Sequence, residues 1–314
     1  MRSFFRTWVL IPVICACAVL PRPDAAEAQR SAQGMFSLDD ARIFYEVVGT
    51  GAPIILVHGG PGLDHNYPRP GLDVLANQNS LVYYDQRGTG RSTADVTADA
   101  INLDAFVGDI KQLRLTLGYD QVTVLAHWFG ALIGLEYVIR FPDNLHALIL
   151  MNPVEPGQRL QDQTAERQRS RSRAEDRTEM ADLTGSEAFQ ARDPATLGQV
   201  YRVAFRQVLR DRDKIDELNL DLAGATARNG QDVAALLGAS LAPPIDWWDR
   251  LAGVRTPTLV LHGRHDAPPL DMSRELAEAL PVGSFESLNT GHFPYLEDRE
   301  ALQQAIACCF ATLR

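Results

Sequence analysis

Apolar and polar positions alternate over Met35 to Leu38 and Ile43 to Val48, on either side of Asp39-Asp40, which predicts an antiparallel hairpin. Two continuous apolar runs follow, Pro53 to His58 and Ser80 to Asp85, and runs of this kind suit strands buried on both faces. Each feeds a glycine-rich loop, HGGPG after the first and QRGTGRS after the second. Leu103, Phe106, Ile110, Leu113 and Leu117 recur at helical spacing and predict a helix over 103–117. A strand at Val122 to Leu125, a helix from Phe129 to Phe141 stopped by Pro142, and a strand at Ala147 to Met151 complete the first half.

From about Val154 to Asp249 no strand-like run occurs, only polar, arginine-rich and helix-compatible sequence. The strand pattern resumes at Thr258 to His262, followed by a helix through Leu280, a short strand near Ser284 to Leu288 and a closing helix from Arg299. Strands alternating with helices predict an α/β fold, a mostly parallel sheet with right-handed crossovers and helices on both faces. The expected organisation is a core formed by 29–153 and 250–314, with 154–249 inserted as a helical cap.

Composition narrows the partners. The 314 residues carry a net charge of -10, and lysine is confined to Lys111 and Lys214. An acidic balance argues against nucleic acid and leaves a small-molecule substrate as the expected partner. Arg2 and Arg6, the apolar run from about Trp8 to Leu20 and the small residues flanking Glu27 form a secretory signal too short to span a bilayer comfortably. The mature chain is therefore expected to start near Gln29, to be periplasmic or secreted, and to make no stable membrane insertion. A lipoprotein cut before Cys17 is the lesser alternative. Cys15 and Cys17 leave with that signal, and the adjacent Cys308 and Cys309 suit core-filling thiols better than a disulfide framework. No spaced Cys/His set signals a metal, and no cofactor is expected.

The candidate chemistry gathers at strand ends. In VTVLAHWFGALIG, Val122 to Gly134, small residues at Ala126 and Gly130 flank a corner between strand and helix. In a nucleophile elbow of the GxSxG kind the central residue is serine, and here it is Trp128. An indole has no hydroxyl or thiol with which to attack. His292, in a loop between strand and helix, is placed to shuttle protons, and Asp266, after another strand, can hold one ring nitrogen and fix the tautomer. His262 and His265 are read as structural, His58 as a brace for its loop, and Asp85 with Arg87 as an internal ion pair supporting the glycine-rich loop.

HGGPG, DQRGTGRS, the elbow, GRHD and GHFPYLED together resemble, in order and spacing, the α/β-hydrolase superfamily. The first two are most similar to its proline iminopeptidase branch. The resemblance implies an α/β-hydrolase fold, with Asp266 as triad acid, His292 as triad base and the backbone N–H groups of Gly60 and Phe129 as oxyanion hole. It departs at Trp128, where the family has serine, and 154–249 offers no glutamate-rich signature for a substrate amine.

Trp128 admits two readings: the wall of a pocket for chemistry without a covalent intermediate, or the mark of a hydrolase scaffold that has lost its nucleophile and only binds. The expectation is an exported enzyme using His292 and Asp266 as general base. The arginines from Arg159 through Arg177 are expected to form a solvated cap helix laced by i,i+4 ion pairs. Trp247-Trp248, where the cap returns, could line the cavity or pack the hinge.

Overall fold

The computed structural model describes residues 31–312 apart from 70, 158, 223, 243 and 244. The expected signal segment and its Cys15 and Cys17 lie outside these residues. The strands are β1 (Ser31–Ser37), β2 (Ala41–Val48), β3 (Ala52–Val57), β4 (Asn79–Tyr84), the short β5 (Thr93–Ala94), β6 (Val122–His127), β7 (Leu145–Met151), β8 (Thr258–Gly263) and β9 (Gly283–Leu288). The helices of the first half are α1 (Leu103–Thr116) and α2 (Gly130–Arg140). Between β7 and β8 lie α3 (Gln161–Arg171), α4 (Ala174–Thr184), α5 (Glu187–Gln190), α6 (Pro194–Arg206), α7 (Gly224–Ala239) and α8 (Trp248–Leu251). After β8 come α9 (Leu270–Ala279), α10 (Pro294–Glu297) and α11 (Arg299–Thr312).

The sheet runs β1-β2-β4-β3-β6-β7-β8-β9, with β5 on the side of β2. It is antiparallel around β2 and parallel from β4 to β9. The two apolar runs behave as expected of central strands, because Ile54, Ile55, Leu81 and Val82 are buried on alternate faces. On one face α1, α2 and α9 cover the sheet, and α11 covers the other. Helix α2 is apolar almost all round because it is buried from Gly130 to Val138, pressed between the sheet, α1 and the chain returning from α8. Asn102 caps α1 through its side chain, accepting from the Ala105 N–H at 3.0 Å.

The excursion between β7 and β8 is helical throughout its regular structure. Its α7 docks on both glycine-rich loops. A Cβ on Gly62 would come within 2.0 Å of the Gly230 carbonyl oxygen, so only glycine permits that approach. The Gly90 N–H donates to Thr226 Oγ1, and that hydroxyl donates to Asp64 at 2.7 Å.

Three local expectations need correction. Asp85 and Arg87 do not pair with each other. Asp85 accepts from His65 Nδ1 at 2.6 Å and from the Arg91 N–H at 2.7 Å, whereas Arg87 forks onto Asp109 of α1 at 2.6 and 2.8 Å and also reaches Asp40. The two side chains leave the strand end toward different neighbours. The arginine-rich stretch is two helices, broken at Ser172-Arg173, and only some of its arginines make the expected surface pairs. Cys308 faces solvent on α11 and only Cys309 is half-buried, so the pair does not fill the core.

Candidate active site

The parallel strands bring their C-terminal ends level. His127 at the end of β6 stands beside Met151 of β7, which stands beside Leu261 of β8. The Trp128 N–H donates to the Met151 carbonyl at 3.1 Å and the Asn152 N–H to that of Leu261 at 2.8 Å, so each corner is tied to the neighbouring strand. Both residues are left-handed, Trp128 at φ 54° and Asn152 at φ 46°. A non-glycine residue held there costs about 1–3 kcal/mol, a strain sustained by the packed surroundings. Gly130, one of the small residues that announced the corner in sequence, explains how it closes, since a Cβ there would meet the Val57 carbonyl oxygen at 2.5 Å; Gly59 of the facing loop is a second close approach, where a Cβ would meet Trp128 Cβ at 2.8 Å.

His292 and Asp266 come together as the sequence suggested. The Nδ1–H of His292 donates to Asp266 Oδ2 at 2.7 Å in a pair almost wholly withdrawn from water. Asp266 also accepts from the Ala267 N–H at 2.6 Å and from Asn152 Nδ2 at 2.7 Å. Burial alone would push this carboxyl up. The charge and hydrogen bond of His292, with help from Asn152, instead pull it down to about 2, so it is an anion at neutral pH. It caps no helix, since α9 begins after Pro269. With Nδ1 committed, the imidazole presents Nε2, which is buried and has no partner among the described residues. A nitrogen so placed can accept a proton from a ligand and pass it on.

A relay that sequence reading did not find holds the histidine loop. The Gly59 N–H donates to Tyr67 Oη at 2.6 Å, the Tyr67 hydroxyl donates to His127 Nδ1 at 2.8 Å, and His127 Nε2–H donates to the His292 carbonyl at 2.9 Å. Burial and the neighbouring His292 hold His127 down to about 3, so it stays neutral and keeps this tautomer. The His292 N–H donates to the Val208 carbonyl at 2.9 Å, bonding the loop to the excursion as well. Asn152 also escaped the sequence reading, since a lone Asn-Pro after a strand carries no signal of the distant carboxylate it meets.

Trp128, Phe129, His292 and Asp266 line one cavity of about 510 Å³ between the sheet edge and α3 and α6. The indole stands edge-to-face against His292 at 5.1 Å and against Phe205 at 5.8 Å, and no hydrogen bond joins it to the imidazole. Gly60 is not on the cavity wall. Neither its N–H nor that of Phe129 donates to another described residue, so both remain available as donors. Trp247 lines the same cavity while its indole N–H donates to Glu136 of α2 at 2.9 Å, thus both packing the hinge and forming a wall. His58 braces its loop through Gly59 and Gln86, His262 is held by Ser273 and Pro268, and His265 bonds Asn289 on the surface.

A family model described as alpha/beta hydrolase fold matches residues 52–299. A RutD protein of Rhizobium rhizogenes, provisionally named a carbamate hydrolase, is 31% identical over 241 residues, covering 75% of this chain and 85% of the relative. A proline iminopeptidase of Lactobacillus delbrueckii subsp. bulgaricus is 26% identical over 275 residues, covering 82% and 88%. Among solved structures, the proline iminopeptidase of Mycobacterium smegmatis superposes with a TM-score of 0.66 over 90% of this chain and 98% of that one, at 24% identity.

Proposed function

The chain belongs to the α/β-hydrolase family, and from that premise we propose that it is an exported enzyme in which His292, oriented by Asp266, acts as general base on an ester, ketone or acidic C–H substrate without forming an acyl-enzyme. The observation that carries this reading is the pairing of a buried, unpartnered His292 Nε2 with a left-handed elbow residue that offers no nucleophile. The base, its anionic partner and a largely apolar cavity are present, and only the attacking oxygen is missing. The N–H group of Phe129, on the cavity wall, would receive negative charge developing on a substrate oxygen. Residues 154–249 serve as the cap over this site, and the mature chain starts near Gln29.

A panel of small activated esters, ketones and carbon acids, assayed by turnover and by solvent deuterium incorporation, tests the mechanism. Activity that disappears in His292→Ala while a fluorophosphonate labels no serine is the expected result. A second reading, a scaffold that binds without turnover, draws on the indole standing 5.1 Å from the imidazole. It prevails if no member of the panel exchanges or turns over at a rate dependent on His292. Intact mass of the exported protein checks the mature start.

A further inference from the structure

The inner wall of the cap departs from what a covering helix ordinarily shows. An amphipathic helix laid over a core turns an apolar stripe inward. Helix α3 buries none of its residues, and the stripe it turns toward the cavity at i, i+3, i+4 and i+7 is Gln161, Thr164, Ala165 and Gln168. Gln207, just past α6, adds a third amide to the same wall. Gln161 is exposed and Thr164, Gln168 and Gln207 are half-buried, and none of these side chains is spent on a hydrogen bond to another described residue. Most of the remaining lining is aromatic or aliphatic, with Trp128, Phe129 and Trp247 joined by Leu160, Phe205 and Val208.

Charge is distributed just as unevenly. Glu155 and Asp266 are the charged residues on the described wall of the cavity, and both are acidic. Helix α3 is also held in place before any ligand arrives. Arg167 Nη2 donates to the Asp266 carbonyl at 3.3 Å and Arg171 Nη1 to the His265 carbonyl at 2.5 Å, fastening the amide wall to the loop that carries the acid. A wall fixed in this way loses little freedom on binding.

We propose that the cavity takes an uncharged amphipathic ligand, flat or compact and apolar on the side facing Trp128 and Trp247, with a rim of hydroxyl, carbonyl or carboxamide groups read by Gln161, Gln168 and Gln207. The proposal deepens the reading of this cavity as the substrate site and names the substrate's chemical class. Carboxylates are disfavoured because the described wall offers them no guanidinium or ammonium group, and its own acids, Glu155 and Asp266, are already paired with Arg159 and His292. Purely apolar ligands forgo bonds to amides that water must then satisfy. A cavity of about 510 Å³ leaves room for a two-ring molecule with substituents.

The test is direct binding, by calorimetry, of three probes sharing one ring system: hydroxynaphthamide, hydroxynaphthoate and methylnaphthalene. Wild type is expected to bind the amide most tightly. The double variant Gln161→Leu with Gln168→Leu is expected to weaken the amide by roughly four- to hundredfold, at about two- to tenfold per lost bond, while methylnaphthalene holds or tightens. Equal or tighter binding of the naphthoate, an amide affinity unchanged in a folded double variant, or no binding of any probe overturns the assignment. His292→Ala separates this from the proposed chemistry, since amide binding that survives His292→Ala and still depends on the glutamines leaves the ligand class standing even where turnover is absent.

Discussion

At Trp128 one side chain decides between two chemistries, and the surroundings are those of a nucleophile. The residue sits at φ 54° above a corner kept open by Gly130, within reach of an oriented imidazole. Replacing it with serine is expected to raise hydrolysis of activated esters or amides well above the wild-type rate and to install stoichiometric fluorophosphonate labelling at position 128, which wild type is expected to lack. Loss of a triad member costs on the order of 10⁶ in turnover, so even an imperfect restoration stands clear of background. Activity in Trp128→Ser that persists after His292→Ala would refute the assignment of the base. Asn152 gives a second prediction on the same scale. It is fully buried at φ 46°, and its amide donates to Asp266 at 2.7 Å while its own Oδ1 is left without a partner among the described residues. Asn152→Gly removes the bond but suits the backbone, whereas Asn152→Ala removes the bond and keeps the strain. Urea denaturation should show both variants destabilised, with alanine worse than glycine by about 1 kcal/mol. Equal stabilities would mean that the left-handed backbone carries no cost there.

Helix α3 shows what an element contributes beyond its residues. Two of its three arginines, Arg167 and Arg171, reach the backbone of the loop bearing Asp266, so this helix and that loop share hydrogen bonds. Replacing both with alanine is expected to raise amide hydrogen exchange in 161–171 and to lower stability by about 1–3 kcal/mol. Unchanged exchange there would show that the other bonds of the excursion, those of Thr226 and Val208 among them, hold α3 without its arginines. Elements of this chain differ in how far sequence reveals them. Helices α1 and α2 were legible to within a residue or two because the apolar spacing of Leu103 to Leu113 and the stop at Pro142 are local signals. His292 and Asp266 were legible because each follows a strand of the same sheet, and parallel strands align their ends. Partners far apart in sequence were not. Asp85 meets His65, and Arg87 meets Asp109, across packed loops, and periodicity says nothing of which buried charge will face which. The inward stripe of α3 was likewise hidden, since Gln161 and Gln168 read as one more part of a polar helix until the cavity gives that helix an inside.

Across the whole molecule, the sheet with its helices and the helical excursion of 154–249 are joined by carboxylates that are held ionised. Asp266 ties the loop after β8 to the loop after β9 and to Asn152, and receives α3 through its carbonyl. Glu136 of α2, only 2% exposed, accepts from Arg250, Arg140 and the Trp247 N–H, joining the elbow helix to the chain returning from the cap. Burial opposes the ionised form in both. For Glu136 the hydrogen bonds of Arg250 and Arg140 reverse that and hold the carboxyl below its ordinary range, and for Asp266 His292 brings it to about 2 from an ordinary 3.8. A carboxyl whose folded value lies below its unfolded one binds protons more readily when the chain unfolds. Its stabilising contribution is therefore complete above the ordinary carboxylate range and is lost as pH falls through the folded value. For Asp266 the loss amounts to something on the order of 2 kcal/mol between about pH 4 and pH 2. Thermal unfolding followed from pH 7 downward should give a nearly level Tm to about pH 5 and a steep fall below pH 4. In Asp266→Asn that fall should be shallower, because one of the protonations that drives it has been removed, while the variant starts from a lower Tm at neutral pH. A Tm that declines with the same slope in wild type and Asp266→Asn would mean that protonation of Asp266 does not contribute to the acid unfolding of the chain.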